Sequence, residues 1–283
     1  DNFEKKIHFI RNFFKEEKIK NYSKSFNNIK SDIENLILLA NTKSFYKKKE
    51  NNIKIKVKSN ISKKRFLKNV IKAQKYIKKG DIFQVVLSQR FQASIEKPPL
   101  EIYNTLRVLN PSPFMFYFNY DDFQILGSSP EILVRLVDGN VTIRPIAGTR
   151  RRGKNKNEDN KLTNELLQDP KELAEHLMLL DLGRNDAGRV SKIGSIKLTD
   201  QMIIEKYSHV MHMVSNVVGE ISEGLGMMDV LKSTFPAGTV SGAPKIRAIE
   251  IIYEQENIKR GIYAGAIGYL GWNGNMDTAI AIR

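Results

Sequence analysis

The sequence predicts a mixed α+β domain that occupies most of the chain. Short apolar runs of strand length are separated by Gly, Asn and Asp turns, and longer amphipathic segments carry helix start signals. The two kinds of segment do not alternate strictly, which favours α+β over α/β. The chain has 283 residues, 41% hydrophobic and 27% charged, a composition typical of globular proteins with a buried core.

Residues 1–60 form a Lys- and Asn-rich segment with few apolar residues. A strand-like run covers residues 7–10, and a helix-like stretch covers residues 33–39. Because so few apolar residues bury little surface, we interpret this segment as the remnant of an N-terminal domain followed by a linker. The main domain is predicted to cover residues 61–283.

The main domain is predicted to begin with a helix and to continue with short strands. Ser62 is a suitable N-cap, apolar residues follow it at helical spacing, and Gly80 supplies a stop. Strands are predicted over residues 83–87, 114–118, 123–126, 132–137 and 141–146.

Two further helices are predicted, one after Asp169 and one after Pro244. The first is expected to place three leucines on one face, Leu173, Leu177 and Leu180. Its opposite face is expected to carry Glu172, Glu175 and His176. The second helix has its apolar residues at Ile246, Ile249 and Tyr253.

The last part of the sequence predicts a β-hairpin around Asn273 and Gly274. Its strands are expected over residues 263–270 and 276–283. With a loop of three or five residues, the register would place Tyr263 opposite Arg283 on the same face.

The strongly basic character of the chain is confined to its first part. Residues 1–80 contain 23 Lys and Arg against 7 Asp and Glu, whereas residues 81–283 contain 23 and 24. A nucleic-acid groove would interleave basic and aromatic residues in a folded domain. Here the lysines lie in Asn-rich polar sequence, so we predict no nucleic-acid partner.

Several chemistries are excluded by composition. The chain contains no cysteine, which excludes a disulfide scaffold, a thiolate nucleophile and Cys-ligated metals. No apolar run reaches the roughly 20 residues of a membrane helix, so no membrane partner is predicted.

Two Gly-containing segments are candidate binding loops. Residues 144–153 end an apolar run in a Gly-Thr turn and an Arg cluster, which is either a ligand loop or a solvated surface. Residues 235–245 lead into a helix N-terminus, which favours a carboxylate, although an ordinary loop-to-helix junction has the same pattern. They do not form a P-loop, because no Ser or Thr follows Lys245.

Several titratable residues also allow two interpretations. Glu172, Glu175 and the carboxylates of residues 181–186 offer oxygen ligands for Mg²⁺, or belong to a Glu-rich surface helix. His209 and His212 make a poor zinc motif. They are either structural histidines of the core, or one of them is an acid–base residue.

Taken together and in this order, five segments resemble the chorismate-binding enzyme family: 80–86, 144–153, 181–186, 209–212 and 238–245. The resemblance covers residues 62–283 almost continuously. It implies the chorismate-utilising fold, with β-sandwich-like sheets and helices packed around them. The anthranilate synthase component I branch is the most similar, which implies a cytoplasmic, Mg²⁺-dependent lyase.

Enzymes of that branch convert chorismate and ammonia to anthranilate and pyruvate in tryptophan biosynthesis. A partner glutaminase subunit supplies the ammonia, and tryptophan is the feedback inhibitor. Ala147 favours this branch, because relatives that add water, and aminodeoxychorismate synthases, typically carry Lys here as a base or nucleophile. Aminodeoxychorismate synthase-like or other chorismate chemistry is the alternative within the family, and a basic nucleic-acid-binding protein is the alternative outside it.

The resemblance also implies roles for individual residues. Glu131 is the general acid for the leaving hydroxyl, and His212 handles the proton during pyruvate elimination; Thr239 belongs to the same catalytic set. The implied chorismate contacts are Gly148, Thr149, Tyr263 and Arg283. Glu175 is the implied Mg²⁺ ligand, and part of the tryptophan site is implied at Pro113, Phe114 and Met115.

The family pattern extends beyond both ends of this sequence. It continues past Arg283 into a Gly-Ala-Gly segment and a helix with a second metal-ligand Glu, and its N-terminal domain holds the rest of the tryptophan site. We therefore expect a truncated form, and we expect residues 1–283 alone to be inactive.

Overall fold

The structure is a computed structural model that describes residues 7–10, 22–41, 55–207 and 209–283. The chain divides into two compact units, residues 1–54 and 55–283. In the first unit, residues 7–10 form no strand, and helix α1 (Tyr22–Asn41) includes the predicted helical stretch. The rest of the predicted N-terminal remnant up to residue 54 lies outside the described residues.

The second unit contains both helices and strands, and the α+β prediction is confirmed. Its helices are α2 (Lys63–Lys78), α3 (Pro99–Leu109), α4 (Lys156–Gln168), α5 (Pro170–Gly188), α6 (Met227–Thr234) and α7 (Lys245–Gln255). Its first strands are β1 (Val57–Ser59), β2 (Gln84–Val85), β3 (Phe91–Ala93), β4 (Phe114–Asn119), β5 (Gln124–Ser129), β6 (Ile132–Val137) and β7 (Asn140–Ile143). The others are β8 (Ile146–Arg151), β9 (Lys197–Lys206), β10 (Val210–Glu220), β11 (Gly242–Ala243), β12 (Ala266–Leu270) and β13 (Met276–Ile280).

A seven-stranded antiparallel sheet forms the centre of this unit. Its order is β12-β13-β6-β7-β10-β8, and β9 pairs with the other edge of β10. Helix α5 packs across β7, β8 and β10, and α6 packs against α5 and β6. The core between these layers includes fully buried Val134, Val141, Val217, Met276 and Ile280. Each such side chain contributes roughly 1.5–3 kcal/mol by burial.

Helix α2 begins and ends where its sequence signals predict. The backbone N–H of Arg65 donates to Ser62 Oγ at 3.3 Å, and Gly80 adopts φ +81° two residues after the helix. Helix α5 begins as predicted too, because Asp169 Oδ1 accepts from the N–H groups of Lys171 and Glu172.

The apolar residues that the sequence places on one face of α5 and of α7 are only partly the buried ones. His176 on α5 is fully buried beside Leu180, whereas Leu177 is 49% exposed. On α7 the predicted apolar residues are the outer ones, with Ile246 69% and Tyr253 85% exposed. The buried residues of α7 are Ala248, Ile251, Ile252 and Gln255.

Among the described residues, no helix combines the length and apolar character required to cross a membrane.

Candidate functional site

A cavity of about 320 Å³ is lined by four of the residues that the sequence assigns to catalysis or to chorismate binding. Glu131 lies between β5 and β6, Thr149 lies on β8, His212 lies on β10, and Arg283 follows β13. All four line the cavity, as does the buried Ala147. The order of the main sheet therefore brings these separate segments to one site.

The imidazole of His212 is held by the neighbouring strand. Its Nδ1 lies 3.0 Å from Thr149 Oγ1 and 3.3 Å from the carbonyl oxygen of Gly148. Because a carbonyl only accepts hydrogen bonds, we assign the ring proton to Nδ1, which leaves Nε2 able to accept a proton. Burial lowers the pKa of His212; Gly148 opposes this effect, and the charge of Arg283 adds to it. The neutral, basic form is favoured.

Glu131 has the opposite character. Burial raises the pKa of its carboxyl group from 4.5 to about 7, while Thr239 and the charge of Arg283 act in the lowering direction. The hydroxyl of Thr239 lowers the pKa of Glu131 because it favours the carboxylate form. The two groups do not meet the geometry of a hydrogen bond, and the buried Oγ1 of Thr239 has no hydrogen-bond partner. A carboxyl group with this pKa is protonated in about half of the molecules at pH 7, whereas an ordinary glutamate is almost fully ionised. The cavity therefore combines one acid and one base.

A β-bulge at Gly148 creates the contact with His212. In the β8–β10 ladder, Thr149 pairs with His212 and Ala147 pairs with Met213, so Gly148 is the extra residue. Gly148 has φ +62°, and a Cβ there would lie 2.9 Å from Leu166 Cδ1. Only glycine suits both the backbone conformation and the space.

The Arg cluster after the bulge anchors β8 and is not a free surface loop. Arg150 forms ion pairs with Asp169 at 2.9 Å and with Glu172 at 3.1 Å, which tie the strand to the start of α5. Arg152 contacts Asp159 on α4 at 2.6 Å. These ion pairs hold Gly148 and Thr149 in position beneath His212.

The structure does not bring Tyr263 and Arg283 together, so their predicted pairing is wrong. The hairpin register agrees with the prediction, since Ala266 pairs with Ile280, but β12 begins only at Ala266. Tyr263 lies in the preceding turn and lines a different cavity, where Arg260 lies 5.5 Å from its ring centre.

The predicted metal ligand lies apart from this cavity, and the residues predicted to bind tryptophan lie at or next to it. Glu175 lines a separate open groove, and its Oε1 accepts a 3.0 Å hydrogen bond from Gln84 Nε2. Pro113 lines the Glu131–His212 cavity, and the next two residues, Phe114 and Met115, begin β4. Binding of tryptophan there stays a prediction.

The sequence of this chain is similar to those of known proteins over most of its length. A family model described as chorismate binding enzyme matches residues 4–283. The chain belongs to the chorismate-binding enzyme family. Anthranilate synthase component 1 of Aquifex aeolicus (strain VF5) is 59% identical over 226 residues, which are 80% of this chain and 46% of that protein. The Pseudomonas aeruginosa protein of the same name is 62% identical over 208 residues, 74% of this chain and 42% of its own length.

A solved structure supports the same fold. The crystal structure of anthranilate synthase component I from Streptococcus pneumoniae TIGR4 matches with a TM-score of 0.88 and 43% identity, over 100% of this chain and 62% of that one. The family resemblance and the chorismate-utilising fold are therefore confirmed. The chain spans less than half the length of the two curated relatives above.

The chorismate-binding family implies a metal ion, and the described residues supply only part of its site. Among them, no group of three or more His, Asp or Glu side chains is arranged so that it could hold a metal ion. Glu175 offers one carboxylate, and the neighbouring Gln84 has a buried Oε1 without a hydrogen-bond partner. Mg²⁺ accepts one or two carboxylates only if water and substrate oxygens complete its shell. Glu175 fits as one ligand, but the donor set is incomplete, and we derive no step through the metal.

One group next to His212 was not predicted from the sequence of this chorismate-binding enzyme. The ring of Tyr207 meets the His212 ring edge-on with centroids 5.7 Å apart, and its hydroxyl donates to Glu205 at 2.8 Å. Glu205 also pairs with Arg144. Burial and Glu205 raise the pKa of Tyr207 to about 12, so it stays neutral. No sequence signal identified Glu205 or Tyr207, because β9, which contains Glu205 and ends just before Tyr207, was not predicted.

Proposed function

We propose that the protein containing this chain is an anthranilate synthase component I, which converts chorismate and ammonia to anthranilate and pyruvate. The observation that carries the proposal is that Ala147 lines the same cavity as Glu131 and His212. Among the described residues, no lysine lines this cavity, so no amine is in place to activate water or to attack the ring. Ammonia needs neither form of activation.

In the first step, Glu131 acts as the general acid. The lone pair of ammonia forms a C–N bond to the chorismate ring while the bond to the ring hydroxyl breaks. Glu131 transfers its proton to the departing oxygen, so that water leaves, and the new ammonium group then releases one proton. The pKa of about 7 keeps Glu131 protonated often enough for this step at neutral pH.

In the second step, His212 acts as the base. Its Nε2 removes the proton from the ring carbon that carries the new amine, and the C–H electron pair enters the aromatic ring. The bond between the ring and the enolpyruvyl oxygen breaks, and pyruvate forms when its methylene carbon is protonated. The contacts of Nδ1 with Thr149 and Gly148 fix the ring orientation for this transfer.

Charged groups hold the substrate carboxylates. Arg283 lines the cavity, and its charge acts on both Glu131 and His212. Its guanidinium is proposed to bind a chorismate carboxylate, together with the backbone at Gly148 and the hydroxyl of Thr149. Bound Mg²⁺ would supply positive charge to the ring carboxylate, and Glu175 is the residue proposed to hold it. A glutaminase subunit is the proposed source of ammonia, and tryptophan is the proposed inhibitor next to Pro113.

Product analysis of the full-length protein tests this function. With chorismate, ammonium and Mg²⁺, we expect a fluorescent aromatic product, anthranilate, together with one equivalent of pyruvate. Glu131→Gln should abolish chorismate consumption, whereas Glu223→Gln, at an exposed glutamate after β10, should leave it unchanged. A non-aromatic amino product without pyruvate would instead identify an aminodeoxychorismate synthase and overturn the proposal.

A further inference from the structure

Glu131 also lines a second and much smaller cavity, which His212 does not line. Its volume is about 40 Å³, which is room for one or two water molecules. This inner cavity is also lined by Arg144, by Asp186 on α5, and by Thr239.

Three of the residues around the inner cavity carry a buried polar atom without a hydrogen-bond partner. These atoms are Arg144 Nε, Asp186 Oδ1 and Thr239 Oγ1. Buried polar groups are nearly always paired, and leaving one unpaired costs about 1–3 kcal/mol. The three atoms are one donor, one acceptor and one hydroxyl that does both, which is the set that a buried water molecule satisfies.

Asp186, which lines the inner cavity, belongs to a buried ion pair. Lys245 Nζ lies 2.6 Å from Asp186 Oδ2 and donates to the Thr234 carbonyl at 3.0 Å, and both side chains of the pair are at least 91% buried. Because Lys245 engages Oδ2, the other carboxylate oxygen of Asp186 is left as an acceptor. The remaining charged or titratable groups that line the two cavities are Arg283, Arg144, His209, His212 and Tyr207.

We propose that ordered water in this inner cavity connects the Glu131 carboxyl group to Asp186, and that Asp186 is a positioning residue for the acid. The protonated carboxyl donates to the water, and the water donates to Asp186 Oδ1. Only the protonated form of Glu131 donates a hydrogen bond to this water. The connection therefore favours the protonated form, which is the form that a general acid needs. The catalytic role of this water connection rests on the proposed function, but the existence of the connection does not.

Infrared spectroscopy of the chain tests the connection without any activity assay. The C=O stretch of the protonated Glu131 carboxyl, assigned by its loss in Glu131→Gln, is followed against pH. In Asp186→Asn we expect its titration midpoint to fall by about one pH unit, on the scale of losing a neighbouring negative charge. Asp181→Asn, at a 62% exposed side chain on the same helix, is the control and should leave the midpoint unchanged.

A second variant covers the case in which Asp186→Asn does not fold, because it leaves Lys245 buried without its partner. The double variant Asp186→Leu with Lys245→Met replaces the pair by apolar groups of similar size and should lower the midpoint as well. An unchanged midpoint in a folded variant, or a high-resolution crystal structure without water in this cavity, would overturn the proposal. A lowered midpoint in a protein that makes no anthranilate would leave the connection standing and refute only the proposed function.

Discussion

Replacing Glu131 by Gln should stabilise the folded chain by an amount that grows as the pH rises from about 4.5 through 7. The pKa of this carboxyl is raised from 4.5 to about 7 by burial. A raised pKa means that the folded state binds the proton more tightly, so the stabilisation is complete below pH 4.5 and is lost as the pH rises through 7. The shift corresponds to about 3 kcal/mol in total, of which about 2.5 kcal/mol lies between pH 5 and pH 8. Glutamine has nearly the same shape and carries no charge at any of these pH values.

Urea unfolding at pH 5 and pH 8 measures this effect. The difference in unfolding free energy between Glu131→Gln and the unchanged chain should grow by about 2.5 kcal/mol from the lower to the higher pH. Glu223→Gln, at an exposed glutamate, should give no such trend. If the two stability differences at pH 5 and pH 8 agree within error, Glu131 has an ordinary pKa, and its assignment as an acid that is partly protonated at neutral pH fails.

Three further changes test other parts of the site. In the full-length protein, His212→Gln should still consume chorismate but accumulate an amino intermediate, detected by chromatography, because only the second step needs the base. Gly148→Ala should cost about 1–3 kcal/mol of unfolding free energy, because φ is +62° and the new Cβ meets Leu166. The Ser215 hydroxyl oxygen lies 2.7 Å from His176 Nε2 and accepts a 2.9 Å hydrogen bond from the N–H of Met202. Ser215→Ala should therefore lower the urea midpoint, because each of these two groups loses its partner at a cost of about 1–3 kcal/mol.

The two stability changes each have a matched control variant. Gly188→Ala places its Cβ where no atom lies within 4 Å and should leave stability nearly unchanged. Ser233→Ala removes a hydroxyl that only donates within its own helix, to Val230, and should cost much less than Ser215→Ala. Complete loss of chorismate consumption in His212→Gln would contradict the division of labour between the base and Glu131.

Local sequence signals predicted the helix ends that a single residue determines. Ser62, Gly80 and Asp169 each act through contacts with their own backbone neighbourhood, so the sequence alone was enough to place α2 and the start of α5. The faces of α5 were not predictable in the same way. This helix is apolar nearly all round, so periodicity does not distinguish Leu177, which is exposed, from His176, which is buried against Ser215.

The site itself depends on long-range pairing that no local pattern contains. Gly148 and Thr149 were expected in a loop, yet they belong to β8, because β10 supplies its hydrogen-bond partners more than 60 residues later. Asp186 was expected as a metal ligand or a surface carboxylate, and it forms an ion pair with Lys245. The family resemblance placed Glu131 and His212 in one site without showing the inner cavity that Glu131 also lines.

The position of β13 in the main sheet constrains how the chain folds. This strand lies between β6 and β12, and 144 residues separate Thr278 from its hydrogen-bond partner Val134. Contacts between such distant residues close large loops, which slows folding. Until residues 276–280 join the sheet, one edge of β6 has no neighbour, and its buried Leu133, Val134 and Leu136 lack part of their cover. A growing chain is therefore exposed to edge-to-edge aggregation at β6 until this late segment has been synthesised.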